Sequence, residues 1–130
     1  MCVVGIGTDI IECERISRML LRHRDNFVRM VFTELENQYC SDRKNSSQHY
    51  AGRWAAKEAV MKALGTGWVA GLAWTDIEVV NQSGGKPIIN LHNGATKIAN
   101  QLGIIEIQIS ITHCESHAVA FAIALGNRKS

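Results

Sequence analysis

The 130-residue sequence lacks the features of several specialised protein classes. It holds one proline and no low-complexity segment, which excludes a fibrous or disordered chain. No apolar run approaches the roughly 20 residues that a membrane-spanning helix needs, and Asp9 interrupts the apolar start where a signal peptide would continue. We therefore expect a cytoplasmic protein that does not engage a membrane, with residues 1–130 forming one domain.

The four cysteines lack the CxxC spacing of a zinc site and the pattern of a disulfide framework, so we expect them to be reduced: Cys2, Cys13, Cys40 and Cys114. The net charge of +2 is too small for a nucleic-acid-binding surface, and we expect no nucleic-acid partner. A mildly basic chain still suits an anionic ligand or an acidic protein.

Periodicity and capping signals predict nine elements, in the order β-α-α-α-β-β-α-β-β. The predicted bounds are strand Val3–Ile10, helix Glu12–His23, a helix from Thr33 to about Cys40 with a Thr33/Glu36 capping box, helix Ser47–Leu64 with a serine N-cap and Gly65 as its stop, strands Asp76–Asn81 and Pro87–His92, helix Asn93–Gly103, and strands Ile105–Thr112 and His117–Leu125.

The last two strands alternate between large apolar residues and small ones. One face of the final strand carries only alanine, at positions 118, 120, 122 and 124, and such a face admits a helix at close range. The element order and this face predict an α+β fold, in which a small antiparallel sheet packs against a long helix.

Two acids stand out as candidate metal ligands. Asp9 follows an apolar strand, where a carboxylate either caps the next helix or lies at a site near the sheet. Glu58 lies four residues before Lys62, an arrangement typical of an exposed helical ion pair. Magnesium needs few protein carboxylates, because waters and substrate phosphates complete its shell, so Asp9 and Glu58 would suffice.

The helix that carries Glu58 also carries three cations, Arg53, Lys57 and Lys62, which would suit a polyanion such as a pyrophosphate. The segment that follows, Gly65, Thr66 and Gly67, is either a plain helix stop or part of a phosphate-binding loop.

Five segments together make the sequence similar to a known family: GIGTDI, FTELE, AGRWAAKEAVMKALGTG, DIEV with GGKP, and ISITHCESHAVAFAIAL. In this order, from Val4 to Leu125, they resemble the holo-acyl-carrier-protein synthase family of phosphopantetheinyl transferases. That resemblance implies the 4'-phosphopantetheinyl transferase-like fold. It also implies transfer of the 4'-phosphopantetheine arm of coenzyme A to a serine of apo acyl carrier protein, in support of fatty acid biosynthesis.

The resemblance also implies roles for individual residues. Asp9 and Glu58 become Mg2+ ligands and Lys62 the cation on the pyrophosphate of coenzyme A. The nucleotide and phosphate region of the site would be lined by Arg53, Lys86 and His113, and its wall would be shaped by Gly65, Thr66 and Gly67. The family works as a homotrimer with each active site between two subunits, so Ser110 and His113 are expected to face the Asp9 and Glu58 of a neighbour.

The first predicted helix is a candidate surface for the acidic carrier protein. It carries cations and one methionine at helical spacing: Arg15, Arg18, Met19 and Arg22. Such a run is either a solvated helix face or a docking site, and the family resemblance favours docking.

Three questions stay open at this point. The base that takes the serine proton is Glu58, Asp9 or a metal-bound water. A non-catalytic module that binds a nucleotide or an acidic protein is the alternative function, and it predicts no dependence on magnesium. A cysteine-based enzyme would use Cys114 with His113 or His117, although adjacent strand residues point to opposite faces.

Overall fold

The computed structural model describes residues 1–127 and confirms the α+β fold. The elements, in chain order, are β1 (Cys2–Glu12), α1 (Cys13–Val31), α2 (Glu34–Ser41), α3 (Ser46–Leu64), β2 (Ile77–Asn81), β3 (Pro87–Leu91), α4 (Asn93–Leu102), β4 (Ile104–His113) and β5 (His117–Gly126). A single 3₁₀ turn, Trp74–Asp76, precedes β2. The predicted order of helices and strands is therefore correct. Within residues 1–127, no helix is long and apolar enough to cross a membrane.

Local signals account for the start of α2 and the end of α3. The capping box before α2 is present: the Thr33 hydroxyl accepts from the Glu36 amide, and Glu36 accepts from the Thr33 amide. Gly65 ends α3 with a left-handed φ of 77°. The predicted serine N-cap of α3 is wrong, because Asn45 occupies that position with a φ of 58° and makes no side-chain cap bond.

Helix α1 runs eight residues past its predicted end at His23. His23 has non-helical angles, φ −139° and ψ 36°, so the helix bends there and then resumes. Its apolar face continues through the bend, with Ile16, Leu20, Phe27 and Val31 all buried. The turn at the bend presents His23 and Arg24 instead of an apolar residue, which is why the sequence pattern ends too early.

The strands form two antiparallel sheets. One is three-stranded, in the order β1-β5-β4, and the other is the β2-β3 hairpin. The alanine face of β5 packs against α3, and Ala118, Ala120, Ala122 and Ala124 are at most 1% exposed. On β1, Gly5 extends this close approach, since a Cβ there would lie 2.0 Å from the carbonyl oxygen of Ala63. Helix α3 is thus held directly against the strand that carries Asp9.

The other face of the three-stranded sheet is apolar and open to solvent. Ile6, Ile10 and Phe121 lie on it and are 61%, 63% and 41% exposed. The register pairs Ile6 with Ile123 and Ile10 with Val119, so the large side chains of β1 and β5 lie side by side there. A contiguous apolar sheet face of this kind marks an interaction surface.

Candidate active site

Asp9 and Lys62 meet at the interface of β1 and α3. Asp9 lies on the β1 face that carries Gly5 and Gly7, because residues two apart on a strand share a face. The ammonium of Lys62 lies 3.2 Å from Oδ1 of Asp9 and donates to the carbonyl oxygen of Thr8 at 2.9 Å. The Lys62 side chain is 48% exposed, whereas that of Asp9 is 17% exposed. A solvent-accessible cation therefore stands beside a largely covered carboxylate.

Glu58 lies one turn before Lys62 on α3, so both side chains occupy one side of the helix. Its Oε1 accepts a hydrogen bond from the indole nitrogen of Trp68 at 3.2 Å. Trp68 comes from the loop after α3, in which Gly65 and Gly67 have left-handed angles, with φ of 77° and 68°. The sequence arguments did not include Trp68, because no local pattern relates it to a carboxylate ten residues earlier.

The two carboxylates suit magnesium better than a metal that needs a full protein cage. Among residues 1–127, no three His, Cys, Asp or Glu side chains form a group that could hold a metal ion. Magnesium usually takes one or two carboxylates, with waters and substrate phosphates as its other ligands. Asp9 and Glu58 each make one side-chain hydrogen bond, and in each case an oxygen is left for a metal. The residues present fit that ion.

A second site is a cavity of about 160 Å³ between α2, α3, the hairpin and β4. Arg53 is its main charged group and is only 4% exposed. Its guanidinium lies 3.8 Å from the ring centre of Tyr39 and donates to the side-chain oxygen of Asn81. No described residue bonds to the buried Nε of Arg53. A buried guanidinium with an unused donor beside a cavity is suited to an anion.

Two histidines complete this cavity. The rings of His49 and His113 lie edge to face with their centres 5.5 Å apart. Burial lowers the pKa of His49, and the nearby His113, Arg53 and Arg43 lower it further. His49 is therefore neutral at pH 7, and its ring can accept or donate one hydrogen bond. The sequence analysis included His113 but not His49, which has no motif around it.

The structure separates the predicted site residues into two groups. Arg53 and Lys62 are nine residues apart on α3, two and a half turns, so they lie on opposite sides of the helix. Asp9 and His113 lie on β1 and β4, the two edges of the three-stranded sheet. Within one chain, Asp9, Glu58 and Lys62 form one group, and Arg53 and His113 form the other.

The other predicted substrate contacts are divided between these groups. Lys86 is exposed in the hairpin turn, between the cavity-lining Gly85 and Pro87. Gly65, Thr66 and Gly67 follow α3 at the Lys62 end, about 18 Å of helix rise from Arg53. Ser110 is opposite Phe121 on the open sheet face, whereas His113 is opposite Ala118 on the covered face. Ser110 and His113 of one chain therefore do not share a site.

Lys57 does not belong to a cationic surface, and that part of the sequence interpretation is wrong. Its ammonium is buried and donates to three oxygens: Oε1 of Glu36 at 2.8 Å, the carbonyl of Trp74 at 3.0 Å and the carbonyl of Ile77 at 2.5 Å. Three acceptors use all three protons of an ammonium group. Lys57 fastens α3 to α2 and β2 and cannot reach a ligand.

The candidate docking residues lie along the solvent side of α1. All four are exposed: Arg15, Arg18, Met19 and Arg22. Ile16 and Leu20, from the opposite side of the helix, anchor it in the core at 1% and 6% exposure. The four side chains can therefore meet a partner without disturbing the packing below them.

The cysteine alternative has a different geometry from the one predicted. Cys114 lies on an exposed turn between β4 and β5, with its sulfur 3.4 Å from the hydroxyl of Ser116. That hydroxyl lies 2.8 Å from Nδ1 of His117, so His117 rather than His113 is linked to the cysteine. The hydrogen bond with Ser116 lowers the pKa of the Cys114 thiol. Cys114 lines none of the four principal cavities of residues 1–127.

Comparison with known proteins agrees with the fold. A family model described as the 4'-phosphopantetheinyl transferase superfamily matches residues 5–122. The holo-[acyl-carrier-protein] synthase of Protochlamydia amoebophila is 44% identical over 120 residues, which cover 92% of this chain and 96% of that relative.

Solved structures give the same result. The crystal structure of the Neisseria meningitidis holo-[acyl-carrier-protein] synthase has a TM-score of 0.87 at 29% identity, covering 95% of this chain and 99% of that chain. The Bacillus anthracis holo-(acyl-carrier-protein) synthase in complex with CoA (3',5'-ADP) has a TM-score of 0.79 at 37% identity, covering 96% and 98%.

Proposed function

Because the chain belongs to the 4'-phosphopantetheinyl transferase superfamily, we propose that it transfers the 4'-phosphopantetheine arm of coenzyme A to a serine of apo acyl carrier protein. The products are holo acyl carrier protein and adenosine 3',5'-bisphosphate. The observation that carries this proposal is the group of Asp9, Glu58 and Lys62, which offers two carboxylates and one exposed cation to a metal-bound pyrophosphate.

The reaction requires the serine oxygen to attack the β-phosphorus of coenzyme A in line. A new P–O bond forms to the serine, and the bond from that phosphorus to the oxygen of the departing nucleotide breaks. Glu58 or Asp9, directly or through a water, takes the serine proton. Lys62 turns its exposed ammonium from Asp9 to the leaving phosphate, where negative charge accumulates. Asp9 and Glu58 would hold Mg2+, which would supply charge neutralisation on the pyrophosphate when bound.

The cavity around Arg53 takes the adenosine bisphosphate end of coenzyme A. The Arg53 guanidinium has an unpartnered donor for a phosphate oxygen, His113 lines the same cavity, and Lys86 lies in the turn between the lining residues Gly85 and Pro87. The Bacillus anthracis relative is solved with CoA (3',5'-ADP), and 37% identity supports the same ligand here.

A homotrimer explains how the two groups act on one coenzyme A molecule. Neighbouring strands in a sheet are about 4.8 Å apart, so Asp9 on β1 and His113 on β4 are separated by two strand spacings across the sheet, and the register also offsets them by two residues along it. If a neighbouring subunit brings its β1 edge to the β4 edge of this one, the two groups complete a single site. The open apolar face with Ile6, Ile10 and Phe121 provides an area for that contact.

We propose that residues 1–130 act as one catalytic domain, in the cytoplasm, and supply holo acyl carrier protein for fatty acid biosynthesis. The four free cysteines are in keeping with a reducing compartment.

The test is a transfer assay with purified protein, apo acyl carrier protein and coenzyme A. With Mg2+, the carrier should gain the mass of one phosphopantetheine, and a chelator should abolish the gain. Asp9→Asn and Glu58→Gln should each lower kcat/KM by more than about 100-fold, because a direct metal ligand should matter at least as much as an outer-shell partner. Cys114→Ser is the matched control and should transfer normally. Tight coenzyme A binding without any mass gain would instead establish the binding-module alternative.

A further inference from the structure

Trp68 connects Glu58 to an aromatic stack that uses all three tryptophans of the chain. The Trp68 ring stacks on Trp74 with ring centres 4.1 Å apart and planes inclined by 26°. Trp74 in turn stacks on Trp54 at 4.3 Å and 29°. Trp54 lies four residues before Glu58 on α3, so the stack begins and ends on one side of the same helix. These contacts link α3 to the 3₁₀ turn, the turn to the loop, and the loop back to α3.

The loop that carries Trp68 has few other constraints. Three of its residues have left-handed angles: Gly65, Gly67 and Gly71. A Cβ on any of them would meet no atom within 4 Å, although the carbonyl oxygen of Gly71 lies against Gly94 of α4, where a Cβ on Gly94 would come within 1.8 Å of it. A backbone bond from Leu72 to Val69 is local to the loop. The indole of Trp68 ties the first part of this loop to α3 through its hydrogen bond to Glu58.

The hydrogen bond to Glu58 has a direction that suits a metal ligand. An indole nitrogen only donates, so the Glu58 oxygen is the acceptor in this bond. It engages Oε1, and among residues 1–127 no group bonds to Oε2. The carboxylate is thus fixed in orientation with one oxygen left for a cation. Partners of this kind orient metal ligands before the metal arrives.

We propose that Trp68 is a positioning residue for Glu58: its braced indole N–H sets the carboxylate orientation in which Glu58 binds the metal. This inference rests on the proposed function, in which Glu58 is a magnesium ligand. Trp68 itself does not touch the reacting atoms.

The decisive variant is Trp68→Phe, which keeps a smaller aromatic ring for the stack and removes the N–H donor. The apparent Kd for Mg2+, measured by calorimetry in the presence of coenzyme A, should rise about 10- to 100-fold. At saturating Mg2+ the kcat should return to within about twofold of the wild-type value, because Glu58 itself is intact. Val69→Ala, in the same loop and with an exposed side chain, is the matched control and should leave the Kd for Mg2+ unchanged.

A second measurement needs neither metal nor turnover. In the metal-free protein, the NMR resonance of the Trp68 indole N–H, assigned by its loss in Trp68→Phe, should shift in Glu58→Gln, because the acceptor loses its charge. The indole resonances of Trp54 and Trp74 should shift less, since neither donates to Glu58.

The outcomes separate the two proposals. If wild-type protein transfers the arm but Trp68→Phe binds Mg2+ as wild type does, the positioning role is overturned while the proposed function stands. A Trp68→Phe defect in kcat that excess Mg2+ does not relieve also overturns it. If wild-type protein transfers nothing, the proposed function fails, and the indole resonance alone tests the hydrogen bond from Trp68 to Glu58. No shift of that resonance in Glu58→Gln would overturn the hydrogen bond, and a shift would support it.

Discussion

Gly7 faces the backbone of Ala59 so closely that a Cβ on Gly7 would lie 1.9 Å from the Ala59 carbonyl oxygen. No real Cβ approaches an oxygen to that distance, so any other residue would push α3 away from β1. The contact is between two backbones and therefore cannot be relieved by a rotamer change. The spacing of β1 and α3, which sets the Asp9 to Lys62 distance, depends on this glycine.

Gly7→Ala is accordingly expected to cost about 3 kcal/mol of unfolding free energy, at the upper end of overpacking effects. The transfer rate should fall as well, because Asp9 and Lys62 move apart. Urea denaturation and the transfer assay measure the two effects. Gly84→Ala is the matched control, since a Cβ there would meet no atom within 4 Å. Equal stability of the two variants would show that α3 and β1 adjust without strain.

Lys62→Ala should lower kcat more than it weakens coenzyme A binding. Its ion pair with Asp9 is half exposed, and such pairs contribute about 0 to 1 kcal/mol to stability, so the fold should persist. The ammonium matters most when charge builds on the leaving phosphate, an interaction made only in the transition state. Steady-state kinetics and calorimetry with coenzyme A separate the two quantities. A loss confined to binding would place Lys62 in the ground-state pocket instead.

Lys57→Met should destabilise the protein by about 3–5 kcal/mol, because it leaves the Glu36 carboxylate buried without its countercharge. Glu36 and Lys57 are both 0% exposed at their side chains, so water cannot compensate. Adding Glu36→Gln should recover part of the loss, because Gln keeps an acceptor for the Val79 amide and removes the charge. Lys97→Met, an exposed lysine on α4, is the control, and its cost should stay below about 0.5 kcal/mol. Similar losses for both single variants would contradict the buried-pair assignment.

Lys57 also shows where sequence reasoning failed. The capping box of Thr33 and Glu36, the stop at Gly65 and the alanine face of β5 depend on neighbours a few residues away, so local pattern predicted them. The Lys57 to Glu36 pair spans 21 residues, and nothing near either residue indicates it. The position of Arg53 and Lys62 on opposite sides of α3 could have been predicted, because nine residues at 3.6 per turn place two side chains on opposite sides of a helix.

The hydrogen-bond partner of Glu58 was also not predictable from nearby residues. The spacing of Glu58 from Lys62 predicted the shared helix side, but its Trp68 partner depends on the two left-handed glycines, Gly65 and Gly67, between α3 and Trp68. The sequence shows which residues are glycine and tryptophan, but it does not show that the loop after α3 folds back onto that helix. The assembly of Arg53 with His49 and His113 likewise depends on how α3 and β4 pack, which is a tertiary property.

Reversing charge on α1 should weaken docking of the carrier protein. Arg15 and Arg22 are exposed, and the buried Ile16 and Leu20 hold the helix independently of them. Arg15→Glu or Arg22→Glu should therefore raise the KM for the carrier about tenfold at low salt, which corresponds to about 1.4 kcal/mol. The increase should shrink as salt rises, because exposed charges are screened over about 10 Å at 0.1 M.

The KM for coenzyme A should stay unchanged in these variants, since its proposed contacts, Arg53 and Lys62, lie on α3. Lys97→Glu on α4 makes the same change in net charge away from α1, so it separates local docking from the overall field of the protein. A parallel loss of both substrates would mean that α1 supports the fold or the nucleotide pocket. An unchanged carrier KM at low salt would remove α1 from the docking surface, because a cationic helix that receives an acidic partner must respond to charge reversal when screening is weakest.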